Sequence, residues 1–191
     1  MMLRTFIAVE IPPDIQGLIA EQSAALKNRL PKAVIRWVTP NNVHLTIKFL
    51  GDLTPTALEQ VAESLKEEAA SHEPFSMSVR GLGAFPSPRR PRVIWIGLEA
   101  PAALEALVHG VEAALARLGF PAEQRPFSPH LTIGRVAQNV SLMDVQNLQS
   151  ALESTRVGLL GKVRVEAVHI FKSDLRPGGA VYTHLYALAM K

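Results

Sequence analysis

The chain has 191 residues, 48% of them hydrophobic, and it contains no cysteine. This composition excludes a disordered protein, a disulfide framework, thiol catalysis and a thiolate metal site, and it suits a reducing compartment. The net charge of +3 excludes a charge-coated nucleic-acid binder, although it is compatible with a polyanionic ligand.

Strand and helix patterns alternate along the first half of the chain. Hydrophobic periodicity and capping residues predict, in chain order, a strand over Thr5–Ile11, a helix after Pro12-Pro13, a segment Arg36-Trp37-Val38, a strand over Val43–Leu50, a helix capped by Thr54 and opened by Pro55, and an extended segment over Phe75–Ala84.

The same order begins again after a loop of proline and arginine residues. Sequence patterns in the second half predict the loop Phe85–Pro91, a strand over Arg92–Glu99, a helix from Pro101 ended by Gly119, a strand over His130–Val136 and a helix capped by Ser141. They then predict strands over Lys162–Phe171 and Ala180–Met190, joined by a turn at Arg176-Pro177-Gly178-Gly179.

Each half therefore runs strand, helix, strand, helix, strand, which indicates an internal duplication. We expect an α+β, bilobal fold with two mainly antiparallel sheets, helices on their outer faces and a cleft between the lobes. No low-complexity linker separates the halves, so residues 1–191 are expected to form a single bilobal domain.

One tetrapeptide occurs twice, at the same place in each half: His44-Leu45-Thr46-Ile47 and His130-Leu131-Thr132-Ile133. Strand alternation puts Leu45 and Ile47 on an apolar face and His44, Thr46 and Lys48 on the opposite, polar face. The same parity buries Leu131 and Ile133 and presents His130 with Thr132. Two related lobes would bring both polar faces to the central cleft.

Two imidazoles across a cleft match the needs of displacement at phosphorus. That reaction requires a base beside the entering oxygen and an acid beside the departing one, while a threonine hydroxyl donates to a non-bridging oxygen. The residues alone leave open which histidine is the acid. Neither motif carries a carboxylate or a second histidine at ligand spacing, so we expect no metal and no cofactor.

These motifs resemble those of the two-histidine (2H) phosphoesterase superfamily, and within it the RNA 2',3'-cyclic phosphodiesterases, also called 2'-5' RNA ligases. The similarity covers Arg36-Trp37-Val38, His44 through Gly51, Pro91 through Trp95, Phe127 through Arg135, Ser173-Asp174-Leu175 and Gly178 through Tyr182. It implies metal-free hydrolysis of a terminal 2',3'-cyclic phosphate to a 2'-phosphate. It also implies that His44 is the proton donor and His130 the proton acceptor.

Several further residues are candidates for binding. Arg135 has the wrong parity in a regular strand, but Gly134 permits a bulge that would turn it towards a phosphate, and the family uses an arginine here. Candidate RNA contacts are Lys48, Arg89, Arg90, Arg92, Phe127 and Tyr182. Trp37 and Trp95 are expected to pack. The histidines that lack a threonine partner, His72, His109, His169 and His184, receive no role.

Two alternatives remain beside the hydrolase. The same site could run in reverse and join a 2',3'-cyclic end to a 5'-hydroxyl, or the chain could be a non-catalytic RNA-binding module. The expected partner is RNA with a 2',3'-cyclic phosphate end, for example tRNA fragments, or small cyclic nucleotides. No stretch approaches the ~18 apolar residues of a membrane span, and the N-terminal run is too short for a signal peptide. We therefore expect a cytoplasmic monomer without membrane association.

Overall fold

The structure is a computed structural model that describes residues 2–31, 34–177 and 179–191. Its helices are α1 (Pro13–Lys27), α2 (Pro55–Ala69), α3 (Ala102–Arg117) and α4 (Leu142–Ser154). Its strands are β1 (Leu3–Glu10), β2 (Ile35–Trp37), β3 (His44–Leu53), β4 (Phe75–Phe85), β5 (Val93–Glu99), β6 (His130–Val136), β7 (Leu159–Val165), β8 (Ala167–Arg176) and β9 (Gly179–Ala189).

The strands form one curled antiparallel sheet in the order β7-β4-β5-β6-β3-β1-β8-β9, with β2 paired to β6. The two motif strands, β3 and β6, lie at its centre, where they are joined through the pair Leu45 and Leu131. The α+β, bilobal architecture is confirmed. The two predicted sheets are connected through this single residue pair instead of being separate.

Each lobe takes strands from both halves of the chain. Strand β4 leaves the first half and pairs with β5 and β7, whereas β8 and β9 leave the second half and extend the sheet beyond β1. The sheet order is therefore pseudo-symmetric about the β3/β6 junction, with β1, β8 and β9 corresponding to β5, β4 and β7.

The helices cover the face of the sheet opposite the cleft. Helix α2 packs against β8, β9 and α3, and helix α1 packs against β7. The predicted caps are present, because the Thr54 hydroxyl accepts from the Ala57 N–H and Ser141 forms a capping box with Asp144. Arg29 joins the ends of α1 and α4 through a hydrogen bond of 2.7 Å to the Thr155 hydroxyl.

One predicted strand is wrong. The segment Lys162–Phe171 contains the end of β7 and the start of β8, which are interrupted at Glu166. The interruption is needed because β7 pairs with β4 in one lobe, whereas β8 pairs with β1 in the other. Within the predicted turn, Gly178 lies outside the described residues, and Arg176 and Gly179 pair as the ends of the β8–β9 hairpin.

Among the helices that the structure describes, none is long and apolar enough to cross a membrane.

Candidate active site

The β3/β6 junction brings the two repeated motifs together. Leu45 pairs with Leu131, and both leucines are buried. In an antiparallel pair the flanking residues then lie across from each other, with Thr46 beside His130 and Thr132 beside His44. Each half therefore supplies a threonine next to the histidine of the other half. Burial lowers the pKa of His44, and the imidazole of His130 is close enough for its charge to add to that effect.

Both histidines are oriented in the same way. His44 Nδ1 lies 2.7 Å from the Asn42 carbonyl oxygen, and His130 Nδ1 lies 2.7 Å from the Ser128 carbonyl oxygen. A carbonyl only accepts, so the hydrogen-bond network assigns the proton of each neutral ring to Nδ1. Nε2 is then the atom on each ring that gains and loses a proton, as acid/base chemistry requires.

A β-bulge overturns the predicted orientation of Lys48. Thr46 pairs with Ala8 on β1, but Lys48 pairs with Ile7, so Ile47 is an extra residue in β3. The bulge turns Lys48 to the helix-covered face, where its ammonium lies 2.6 Å from Glu112 Oε2 of α3. Ile47 is buried as predicted, and the sequence-based parity is wrong beyond it. Phe49, which is 65% exposed, shares the histidine face in its place.

The second motif has a bulge at the matching position. Trp95 pairs with Thr132 and Ile94 with Gly134, so Ile133 is the extra residue in β6. The bulge returns Arg135 to the histidine face, where its charge partly opposes the burial that raises the pKa of Tyr182. Arg36 on β2 pairs with Arg135 and extends to the same face. The expected reorientation of Arg135 is thus present in the strand register.

Close packing explains why glycine precedes Arg135. A Cβ atom at Gly134 would come within 2.6 Å of Ile35 Cγ2 and 3.4 Å of Trp37 Cε3. These β2 side chains pack against β6 on the face of the sheet opposite the cleft. Only a residue without a side chain therefore fits at position 134 beside the bulge.

Among the described residues, two aromatic side chains lie against His44 and one lies against His130. The His44 ring centre lies 4.8 Å from that of Phe6 and 5.2 Å from that of Tyr182, which stands edge-on to it. His130 meets the edge of Phe85 at 4.8 Å. Burial is the largest effect on His44 and lowers its pKa from 6.5; the hydrogen bond to Asn42 partly opposes this, and His130 adds to it.

A cavity of about 650 Å³ opens on the His44 side of the site. Phe6, His44, Phe171 and Tyr182 are among the residues that line it. On the His130 side the indole ring of Trp95 covers Gly83, where a Cβ atom would collide with the ring. The two lobes therefore offer different surfaces around equivalent histidines.

Residues 9–95 and residues 96–182 each match the family model described as LigT like phosphoesterase. The chain belongs to the LigT-like phosphoesterase family. Two consecutive matches to one model agree with the internal duplication predicted from the repeated motif, and they extend the family resemblance over almost the whole chain.

Other members of the family match along their full length. An RNA 2',3'-cyclic phosphodiesterase of Methanothermobacter thermautotrophicus is 32% identical over 97% of both chains. One of Archaeoglobus fulgidus is 33% identical over 96% of this chain and 98% of its own. Among solved LigT-like structures, Escherichia coli LigT complexed with 3'-AMP is 25% identical, with a TM-score of 0.76 over 100% of this chain and 99% of that one. A Thermus thermophilus protein is 27% identical, with a TM-score of 0.80 over 98% of this chain and 97% of its own.

The remaining predicted RNA contacts of this LigT-like chain lie at different distances from the junction. Arg89 and Arg90 are exposed in a turn that follows Phe85, the ring beside His130, and Arg92 is exposed where β5 begins. Phe127 and Trp37 pack partly against the core.

Of the histidines without a predicted role, two make local contacts. His72 pairs with Glu68 at 2.8 Å, and His109 contacts the Glu105 carbonyl oxygen in its own helix. His169 and His184 instead lie together on the cleft face. Local sequence patterns do not identify Arg36, Phe6 and Phe49 as cleft residues, because the directions of their side chains depend on strand register.

Proposed function

We propose that the chain hydrolyses terminal 2',3'-cyclic phosphates of RNA to 2'-phosphates by metal-independent acid/base catalysis. The observation that carries this proposal is the matched pair of Nδ1 hydrogen bonds, which leaves the Nε2 atoms of His44 and His130 free for proton transfer. The names of the relatives, RNA 2',3'-cyclic phosphodiesterases, support the substrate class.

In the proposed mechanism His44 protonates the departing 3'-oxygen and His130 activates the attacking water. Because burial lowers the pKa of His44, this ring is predominantly neutral in the free protein at neutral pH. A bound phosphate anion opposes that effect and favours the imidazolium. His44 therefore becomes a competent acid when the substrate is present, which couples protonation to binding.

Hydroxyl and guanidinium donors of the cleft stabilise the charged phosphorus centre. We assign the non-bridging oxygens to Thr46 and Thr132, which the antiparallel junction places beside the opposite histidines. Arg135 supplies a positive charge from the end of β6. Donors fixed on two strands need little rearrangement as the phosphorane-like charge develops.

The test uses an oligonucleotide with a 2',3'-cyclic phosphate end, incubated in EDTA, with the product end identified by chromatography. We expect a 2'-phosphate, and we expect hydrolysis to fall at least about 10³-fold in His44→Ala and in His130→Ala. His109→Ala, which removes an exposed histidine from α3, is the matched control and should retain activity.

Three outcomes separate the hypotheses. Full activity in either motif variant would refute the two-histidine mechanism. Binding of the oligonucleotide without turnover would favour an RNA-binding module. A 5'-hydroxyl oligonucleotide added in excess reports on joining, and a 2'-5' linked product formed faster than the 2'-phosphate would favour the ligase.

We further propose that the active species is a monomer that folds as one unit. Both histidines, both threonines and Arg135 belong to one chain, and each lobe contains strands from both halves. Light scattering during size-exclusion chromatography should give the mass of one chain, 20.8 kDa, at concentrations that support full activity.

A further inference from the structure

A second pair of histidines lies on the cleft face, away from the β3/β6 junction. His169 Nδ1 of β8 lies 2.9 Å from His184 Nε2 of β9. Neither residue belongs to a repeated motif, and the proposed acid/base mechanism uses neither. The same cavity is lined by these two histidines and by His44.

A β-bulge creates this pair. Ile170 pairs with Tyr186, but Phe171 pairs with His184, so Leu185 is an extra residue in β9. Without the bulge, Leu185 would lie opposite Phe171 and occupy the cleft face. The bulge puts His184 there instead, on the same side of the sheet as His169.

A carboxylate from a third strand completes the group. Glu10 at the end of β1 pairs with His44, and His169 pairs with Ala8 two residues earlier. Glu10 Oε2 lies 3.8 Å from His169 Nε2, and the Glu10 side chain is 53% exposed, so it has freedom to move. In the described part of the chain, this is the one group of three potential metal ligands, with one ligand atom of each within 4.8 Å of the others.

We propose that His169, His184 and Glu10 bind a divalent transition-metal ion, with Zn²⁺ as the representative ion. Two imidazoles and a carboxylate form a donor set that suits zinc, nickel and copper. Ligands about 2.1 Å from a tetrahedral ion lie roughly 3.4 Å apart, so the two nitrogen atoms, which are 2.9 Å apart, would separate by roughly 0.5 Å to hold it. To join them, the Glu10 carboxylate, which lies 3.8 Å from the second ring nitrogen of His169, would move to the side of the ring that faces His184.

This ion would be separate from the catalytic pair. His44 and His130 direct Nδ1 to backbone carbonyls, whereas the His169 and His184 nitrogens face each other. Three protein ligands leave a tetrahedral ion one position, which would be open to the cavity and to an anionic oxygen there. The site therefore adds a binding point for an anion without supplying the acid or the base of the reaction.

The test is calorimetric titration of Zn²⁺ into the full chain, prepared without a polyhistidine tag and stripped with EDTA. We expect one equivalent to bind. We expect His169→Ala and His184→Ala each to weaken binding at least about 10-fold, and Glu10→Gln to weaken it by about 10-fold. His109→Ala is the control and should bind as the unmodified chain does.

Several results would overturn the proposal. These are no binding by the unmodified chain, unchanged binding in His169→Ala and His184→Ala, or binding that is lost in His44→Ala or His130→Ala but kept in the other two. Circular dichroism identifies any alanine variant that fails to fold. Such a variant is replaced in the titration by His169→Gln or His184→Gln, which keep more of the side-chain volume. Because the titration contains no RNA, its failure is distinct from a failure of the hydrolysis assay in EDTA.

Discussion

Replacement of Lys48 by methionine tests the bulge that positions the whole histidine face. If β3 were regular, Lys48 would extend beside His44 and its loss would weaken phosphate binding. In the structure its ammonium lies 2.6 Å from Glu112 Oε2 and 2.8 Å from the Pro121 carbonyl oxygen, on the helix-covered face. Methionine keeps the aliphatic length but removes both interactions, so Lys48→Met should affect stability and leave catalysis unchanged.

The size of the stability loss follows from how deeply the pair is buried. The Lys48 and Glu112 side chains are 9% and 21% exposed, between a surface pair worth about 0–1 kcal/mol and a buried pair whose disruption costs about 3–5 kcal/mol. We therefore expect Lys48→Met to lower the free energy of unfolding by about 2 kcal/mol. For a chain of this size, that corresponds to a Tm lower by about 4–8 °C.

The assay compares urea unfolding and kcat/KM for Lys48→Met, Arg135→Met and the double variant Lys48→Met, Glu112→Gln. Arg135→Met should lower kcat/KM by about 10–100-fold, because it removes a charge-assisted hydrogen bond to phosphate that contributes about that factor. Lys48→Met should stay within about 2-fold of the unmodified chain, and Glu112→Gln should restore part of its stability. A kcat/KM for Lys48→Met as low as that of Arg135→Met, with unchanged stability, would refute the bulge assignment.

Three further predictions address packing and protonation. Gly134→Ala should lower the free energy of unfolding by about 1–3 kcal/mol in urea, because its Cβ atom would meet Ile35, and Ile35→Ala in the same chain should recover part of this loss. Since the folded pKa of His44 is below 6.5, the unfolded chain takes up this proton first, so stability should fall as the pH drops below about 6.5, and less so in His44→Ala. The dependence of kcat/KM on pH should be bell-shaped, with its basic limb at lower pH than that of kcat; a flat profile between about pH 5 and 8, with chemistry limiting the rate, would contradict the roles of His44 and His130.

The sequence predicts the motif strands well because their information is local. Alternation of polar and apolar residues identifies the buried strand faces that carry Leu45 and Leu131. The repeated tetrapeptide predicts a duplicated site. Capping residues likewise predict where α2 and α4 begin, since a threonine or serine hydroxyl satisfies backbone N–H groups within its own turn.

The local sequence pattern does not predict features that depend on the neighbouring strands. The extra residues Ile47 and Ile133 have no signature of their own, because a bulge exists only relative to the strand alongside it. Gly134, which precedes Arg135, was the one local signal of a bulge, and it indicated the bulge in β6. The break at Glu166 and the meeting of His169 with His184 also depend on pairing between distant segments.

The bulges also explain how two identical tetrapeptides can serve as the acid side and the base side of one reaction. At matching positions after each bulge, the first half carries Phe49 and the second carries Arg135, so one side of the cleft is apolar and the other is cationic. The hydrogen bond of His44 to Asn42 is partly buried beside Phe6 and Tyr182, whereas that of His130 is exposed. A unit negative charge about 5 Å from a ring contributes about 3 kcal/mol at an effective dielectric of about 20, or roughly 2 pKa units. This effect favours the imidazolium form of His44 when phosphate enters, while the exposed hydrogen bond of His130 leaves that ring near the water that it activates.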